Sequence, residues 1–184
     1  VDYGTQNPMA YGLWGRYHNG EWHKVKEYHH SGRESATKTN DEYADDMVEW
    51  LEEEGLKPRD VKAVIIDPSA ASFKVQLKRS GFRVKDGDND VLEGIEYVQM
   101  ALTHGIIKYY DRCERTLVEY GSYVWDDKAA DKGIDRVVQE NDHHMDADRY
   151  FVYTILKRRI DNAKKDAVVG NKAKQALGGA RIYG

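Results

Sequence analysis

The chain has a single cysteine, Cys113, which excludes an internal disulfide and leaves no second thiol for a thiolate zinc site. Folding therefore rests on ordinary core packing. No stretch approaches the roughly 18 apolar residues that a membrane-spanning helix needs, and no basic-then-apolar segment opens the chain as a secretory signal does. Both absences predict a protein of the cytoplasm. A Gly-x-x-x-x-Gly-Lys-Ser/Thr loop is missing, so nothing in the sequence cradles a nucleoside triphosphate. A Gly-x-Ser-x-Gly elbow is also missing, and Cys113 has no histidine close by in sequence, which leaves nucleophilic catalysis without support. Positive charge is in short supply too: 28 Lys and Arg stand against 32 Asp and Glu, for a formal net charge of -4. That balance argues against a simple electrostatic binder of nucleic acid, whose affinity comes from clustered cations. It does not exclude an enzyme that gathers carboxylates around metal ions, because bound cations reverse the local sign.

What is present describes one globular domain. The 184 residues are 40% hydrophobic and 11% aromatic, enough for one substantial core and too few for two. Asn19-Gly20 suits a tight hairpin and is flanked by Tyr-, Trp- and Val-rich stretches over 9–13 and 21–28, predicting two antiparallel strands. These follow a stub, Val1-Asp2-Tyr3-Gly4, that reads as the end of a strand from a longer chain. A helix capped by Asp41 runs to about Glu54, with Tyr43, Met47, Trp50 and Leu51 at helical spacing. Residues 61–66 are nearly all apolar, as in a strand buried on both faces, and end at Asp67-Pro68. Further elements are expected at 71–80 (helix), 82–85 (strand), 91–103 (helix, with Val91, Ile95, Val98 and Met100 inward), 106–109 (strand), 112–120 (helix) and from His144 or Asp146 to about 163 (helix). An antiparallel meander followed by strand-helix units predicts an α/β fold, a mixed central sheet flanked by helices. The domain is expected to span residues 1–165, with a weakly ordered Lys-, Gly- and Ala-rich tail over 166–184.

Three acids stand at element boundaries: Asp2 after the stub, Asp67 after the most apolar strand, and Asp146 at the start of the last helix. Taken singly each has an ordinary explanation. Asp67 before proline is turn chemistry, and acids early in a helix favour its dipole. Should the strands carrying Asp2 and Asp67 be neighbours, however, both side chains emerge at one sheet end and the helix brings the third across them. Carboxylates that close make physical sense around hard divalent cations. His143, three residues before Asp146, faces the same site on a helix start and is suited to bind a metal or pass a proton. Asp142 and Asp148 are reserve ligands. His144 reads as a surface residue, and His29 and His30 point to opposite sides of a strand with no shared ligand.

The stretches Val1-Asp2-Tyr3-Gly4-Thr5, Val64-Ile65-Ile66-Asp67-Pro68-Ser69-Ala70 and Asp142-His143-His144-Met145-Asp146-Ala147-Asp148-Arg149-Tyr150 together resemble the nuclease domain of the large terminase subunit of tailed bacteriophages, over about residues 1–156. The late motif is the most specific. The resemblance implies a ribonuclease H-like fold in which Asp2, Asp67 and Asp146 hold two divalent metal ions, Mg2+ or Mn2+. The implied activity is low-specificity endonucleolytic cutting of concatemeric double-stranded DNA during genome packaging. Lys85, in the stretch from Lys85 to Ile95, matches a lysine-containing segment before a helix and is implied as a phosphate contact. Lys74, Lys78, Arg79 and Arg83 are further candidate phosphate contacts, or simply a solvated helix face. The implied partners are an N-terminal packaging ATPase domain in the full-length protein, the small terminase subunit and the procapsid portal, and the implied place of action is the procapsid in the host cytoplasm. Two other readings stand beside it: a ribonuclease H-like resolvase or transposase, and a non-catalytic module that docks on the portal or capsid.

Overall fold

A computed structural model describes residues 1–5, 7–138 and 140–165; the tail expected over 166–184 lies outside the described residues. Strands β1 (Met9–Arg16) and β2 (Trp22–His30) form the expected antiparallel hairpin, with Gly20 at φ 87° in the turn, a conformation that favours glycine. Helix α1 (Asn40–Glu52) buries Tyr43, Met47, Trp50 and Leu51 as the spacing predicts. Its cap is Thr39 rather than Asp41, because Thr39 and Glu42 complete a reciprocal capping box. Strand β3 (Val64–Ile66) is shorter than the apolar run, since a 3-10 turn at Pro58–Asp60 occupies the approach. Helix α2 (Ala71–Arg79) returns the chain to β4 (Val84–Asp86), parallel to β3. Helix α3 (Val91–Thr103), capped by Asp90, leads to β5 (Ile107–Tyr109), which pairs parallel with β2. Helices α4 (Glu114–Ser122), α5 (Asp127–Ala130) and α6 (His143–Phe151) follow. After α6 a π-helical segment, Val152–Leu156, continues into helical turns that reach residue 165. The inward stripe of α3 differs from expectation. Val91 is 37% exposed, and Gly94, Ile95, Tyr97 and Ala101 are the buried positions.

Residues Val1 and Asp2 join the two halves of the sheet. Asp2 pairs antiparallel with Ala10 of β1 through two backbone bonds of 2.8 and 3.0 Å. On the other side the Val1 nitrogen donates to the Ile65 carbonyl (2.5 Å), and the Asp67 amide donates to the Val1 carbonyl (3.4 Å), the alternation of a parallel pair. The spatial order is therefore β5, β2, β1, the stub, β3, β4. This is the mixed sheet flanked by helices that the element order predicts. One core lies between β1, β3, α1 and α2; the other gathers α3, β5, α6 and the π segment. Strand β3 shows why its run is apolar on every residue: Val64 and Ile66 enter the first core and Ile65 the second. No helix among the described residues is long and apolar enough to cross a membrane.

Candidate active site

The parallel pairing of the stub with β3 sets Asp2 and Asp67 at one end of the sheet on neighbouring strands. Helix α6 packs across β1 and β3 and brings His143 and Asp146 to that end. Each acid is held by a group from another part of the site. His143 Nδ1–H donates to Asp2 Oδ2 at 2.8 Å. Tyr150 Oη donates to Asp67 Oδ2 at 2.8 Å, while the Ser69 amide donates to Asp67 Oδ1 at 2.6 Å. Asp67 thus performs the turn chemistry expected of an aspartate before proline and faces the site as well. Arg149 grips Asp146 Oδ1 through Nε (3.2 Å) and Nη2 (2.9 Å), and its Nη1 reaches the Asp90 carbonyl.

Two glycines make room for these supports. A Cβ at Gly94 would stand 2.6 Å from Arg149 Cγ, and one at Gly87 would stand 3.0 Å from Tyr150 Cβ. Helix α3 and the loop before it therefore approach α6 closely enough for Arg149 and Tyr150 to lie flat against backbone, which fixes the two carboxylates they hold. Spacing in the sequence singles out neither Arg149 nor Tyr150. The signal for both is the adjacency of a bidentate donor and a phenol to the Asp-Ala-Asp segment.

The electrostatics are those of crowded acids. Burial raises the Asp146 carboxyl, Arg149 opposes the rise, and Asp2 and Asp142 add to it. Asp142 is likewise raised by burial, with Asp2 contributing. Asp67 goes the other way. Burial would raise it, but bonds from Ser69 and Tyr150 together with the Arg149 charge bring it below the ordinary carboxyl value. His143 is raised chiefly by its bond to Asp2, against burial, with further help from the Asp2, Asp142 and Glu119 charges. The resulting stabilisation by His143 is complete below the unfolded value near 6.5 and is lost as pH climbs through the higher folded value. An NMR titration of the imidazole is expected to show Asp2→Asn lowering the His143 pKa. An unchanged value would break the pair.

Oxygen donors on rigid elements suit Mg2+ or Mn2+, and the mutual repulsion of Asp2, Asp142 and Asp146 is what a cation relieves. Among the described residues the aspartates do not close to a set whose ligand atoms all lie within 4.8 Å; each is turned toward its own donor. The chemistry of the donor set nonetheless fits a metal, which would compete with those donors for Asp2, Asp67 and Asp146. The reserve ligands separate. Asp142 stays at the site, whereas Asp148 is 1% exposed and paired with Lys24 Nζ at 2.8 Å beneath it. Lys24 is itself 0% exposed, donates to Thr116 Oγ1 (2.7 Å), and lies over Gly12, whose missing Cβ would stand 2.3 Å from Lys24 Cε.

His144 corrects an expectation. It is 0% exposed rather than at the surface, because the second position of α6 faces inward onto β2 and α4. His30 bonds Tyr43 on the opposite side of β2 from His29, as strand alternation requires. The candidate phosphate contacts also divide. Lys78 and Arg79 end α2, about 13 Å of helix beyond Asp67, and Arg83 precedes β4 at the sheet end away from the acids. Lys74 is committed to Asp86 and the Pro68 carbonyl, both at 2.8 Å. Lys85 lines a cleft of about 770 Å³ with Lys157 and Arg158 from the helix after the π segment and with Asp86, Asp88 and Asp161; Lys157 is already bonded to Tyr153 and paired with Glu93.

Solved structures share this fold. The large terminase of a thermophilic bacteriophage, in two crystal forms and again with ADP, superposes with a TM-score of 0.79 at 53% identity over 84% of this chain. The chain is similar to a large terminase. It spans 38% of the length of that terminase. No protein-family model and no curated protein matches it.

Proposed function

We propose that this chain is the nuclease domain of a phage DNA-packaging motor, a metal-dependent endonuclease of ribonuclease H-like fold that hydrolyses phosphodiester bonds in concatemeric double-stranded DNA with low sequence specificity. The observation that carries the reading is the convergence of Asp2, Asp67 and Asp146 at one sheet end, each fixed by a different neighbour. The similarity to a large terminase supports the packaging context, and with it the wider partners: an ATPase domain in the same polypeptide, the small terminase subunit, and the portal of a procapsid in the host cytoplasm.

Asp2, Asp67 and Asp146 would hold two Mg2+ or Mn2+ ions, which when bound lower the pKa of a water and neutralise charge on the scissile phosphate. Asp67, at a strand end and braced by Tyr150 and Ser69, is the most rigid of the three and the best placed to serve both ions. Asp2 orients His143 through Nδ1, which leaves Nε2 to accept or return a proton at the reacting phosphate. Arg149 balances Asp146 and keeps its charge from pushing Asp2 away. Lys85 and Arg158 are the cations of that cleft to which a DNA backbone would run closest, among its aspartates Asp86, Asp88 and Asp161, and Lys74, Lys78, Arg79 and Arg83 are left to more distant contacts. Products are expected to carry 5′-phosphate and 3′-hydroxyl ends.

The purified domain, incubated with supercoiled plasmid and Mn2+ or Mg2+, is expected to give nicked and linear DNA, and chelation is expected to stop the reaction. Intact plasmid under every metal condition, with no metal bound on titration, would leave the docking-module reading in its place. Cutting confined to four-way junctions would favour the resolvase reading.

A further inference from the structure

Beneath the acids lies a second cluster of a different chemistry. His29 of β2, Glu119 of α4 and His144 of α6 each present one ligand atom, and these atoms all lie within 4.8 Å of one another. Among the described residues this is the set of three that meets at such a distance. The two imidazoles stack with centroids 5.4 Å apart. His144 is 0% exposed, and neither of its ring nitrogens has a hydrogen-bond partner; the His29 Nδ1 is buried and unpartnered as well. Buried nitrogens are almost always paired, because an unmade bond in the interior carries the whole desolvation penalty. Each neutral ring has one nitrogen lone pair to offer, and two adjacent rings with unpartnered buried nitrogens beside a carboxylate are a donor set that a cation would satisfy. Glu119 is anchored from behind by the His144 and Met145 amides at 2.7 and 3.2 Å, both on Oε2.

The neighbouring charges leave room for a cation. Lys24 is compensated by Asp148. Glu27, whose Oε2 stands 3.9 Å from His144 Nδ1 and accepts from the Thr116 hydroxyl, adds a second carboxylate against the positive charge of Arg115 nearby.

We infer that His29, Glu119 and His144 form a zinc site, separate from the aspartate pocket, that clamps β2, α4 and the start of α6 together. Two imidazoles with one carboxylate select a borderline transition metal over Mg2+ or Mn2+, which prefer all-oxygen ligands. The clamp holds the turn of α6 on which His143 and Asp146 are carried, so the ion acts as a structural brace for the acids without taking part in their chemistry. The inference does not depend on whether those acids cut DNA.

The test uses the intact chain dialysed against micromolar Zn2+ in millimolar Mg2+, followed by metal analysis and zinc X-ray absorption. One zinc per chain with two imidazole shells is expected, with a thermal midpoint raised by roughly 5–10 °C at a hundredfold excess over Kd. His29→Gln is expected to lose the zinc and the rise, and Asp67→Asn to keep both. No retained zinc, a coordination shell with one imidazole or none, or zinc retained by His29→Gln would each overturn the site. Should His29→Gln fail to fold, the wild-type coordination shell decides alone. Because metal content and spectrum are read without DNA, loss of this site and loss of nuclease function are separately visible.

Discussion

Asp67→Asn is expected to lower plasmid cleavage by at least about a thousandfold while leaving the thermal unfolding midpoint within a few degrees of the parent. The substitution keeps the side-chain volume and keeps an oxygen for the Ser69 amide or the Tyr150 hydroxyl, so the turn after β3 and its contact to α6 persist. What it removes is the negative charge from the most firmly held of the three acids. A metal clamp on a transferring phosphate supplies several kcal/mol, and each 1.36 kcal/mol is a factor of about ten in rate. The same substitution at a purely turn-forming aspartate would leave cleavage untouched, so the assay separates the two roles this residue combines. Parent-like cutting by a folded variant would remove Asp67 from the metal site and the proposed activity with it.

The largest effect on stability is expected from Lys24→Met. The Lys24–Asp148 pair is buried on both sides, and breaking such a pair leaves one charge stranded in the interior at a cost of about 3–5 kcal/mol. For a chain of this size that is a fall of roughly 10 °C in the unfolding midpoint. Burial already raises the Asp148 carboxyl with Lys24 opposing it, so without the ammonium the acid takes up a proton or pulls water inward. Lys24→Met combined with Asp148→Leu is expected to recover most of the loss, since apolar replacements of similar volume commonly equal a buried ion pair. A single variant as stable as the parent, judged by thermal denaturation, would mean that the pair contributes nothing. The result bears on function because Asp148 sits two residues after Asp146, so the pair also sets the rotation of α6 about its axis.

How far the sequence reaches follows from which interactions are local. The hairpin and the spacing of Tyr43, Met47, Trp50 and Leu51 are written in residues a few positions apart, and the structure reproduces them. The two-sided burial of β3 is reproduced as well, because Val64, Ile65 and Ile66 present no polar side to solvent on either face. The convergence of Asp2 with Asp67 is legible only as a condition, that their strands be neighbours; the backbone bonds of Val1 meet it. By contrast, the partner of His143 is 141 positions away, and helical spacing points only to Asp146. His144 departs from its surface reading for the same reason. Polarity alone marks a histidine as exposed, and nothing near it announces that β2 and α4 supply a buried place. The burial of Lys24 has no local signal either, because its partners Thr116 and Asp148 are contributed by two later helices.

The π-helical segment Val152–Leu156 gives the last helix two independent azimuths. An α-helix advances about 100° per residue, whereas a wider turn advances less, so the residues before and after it are not bound to a single angular register. Upstream, Arg149 and Tyr150 are aimed at the acids; downstream, Lys157 and Arg158 are aimed at the cleft that holds Lys85. One continuous rod can thus point its carboxylate-bracing groups and its cleft-lining cations along different bearings.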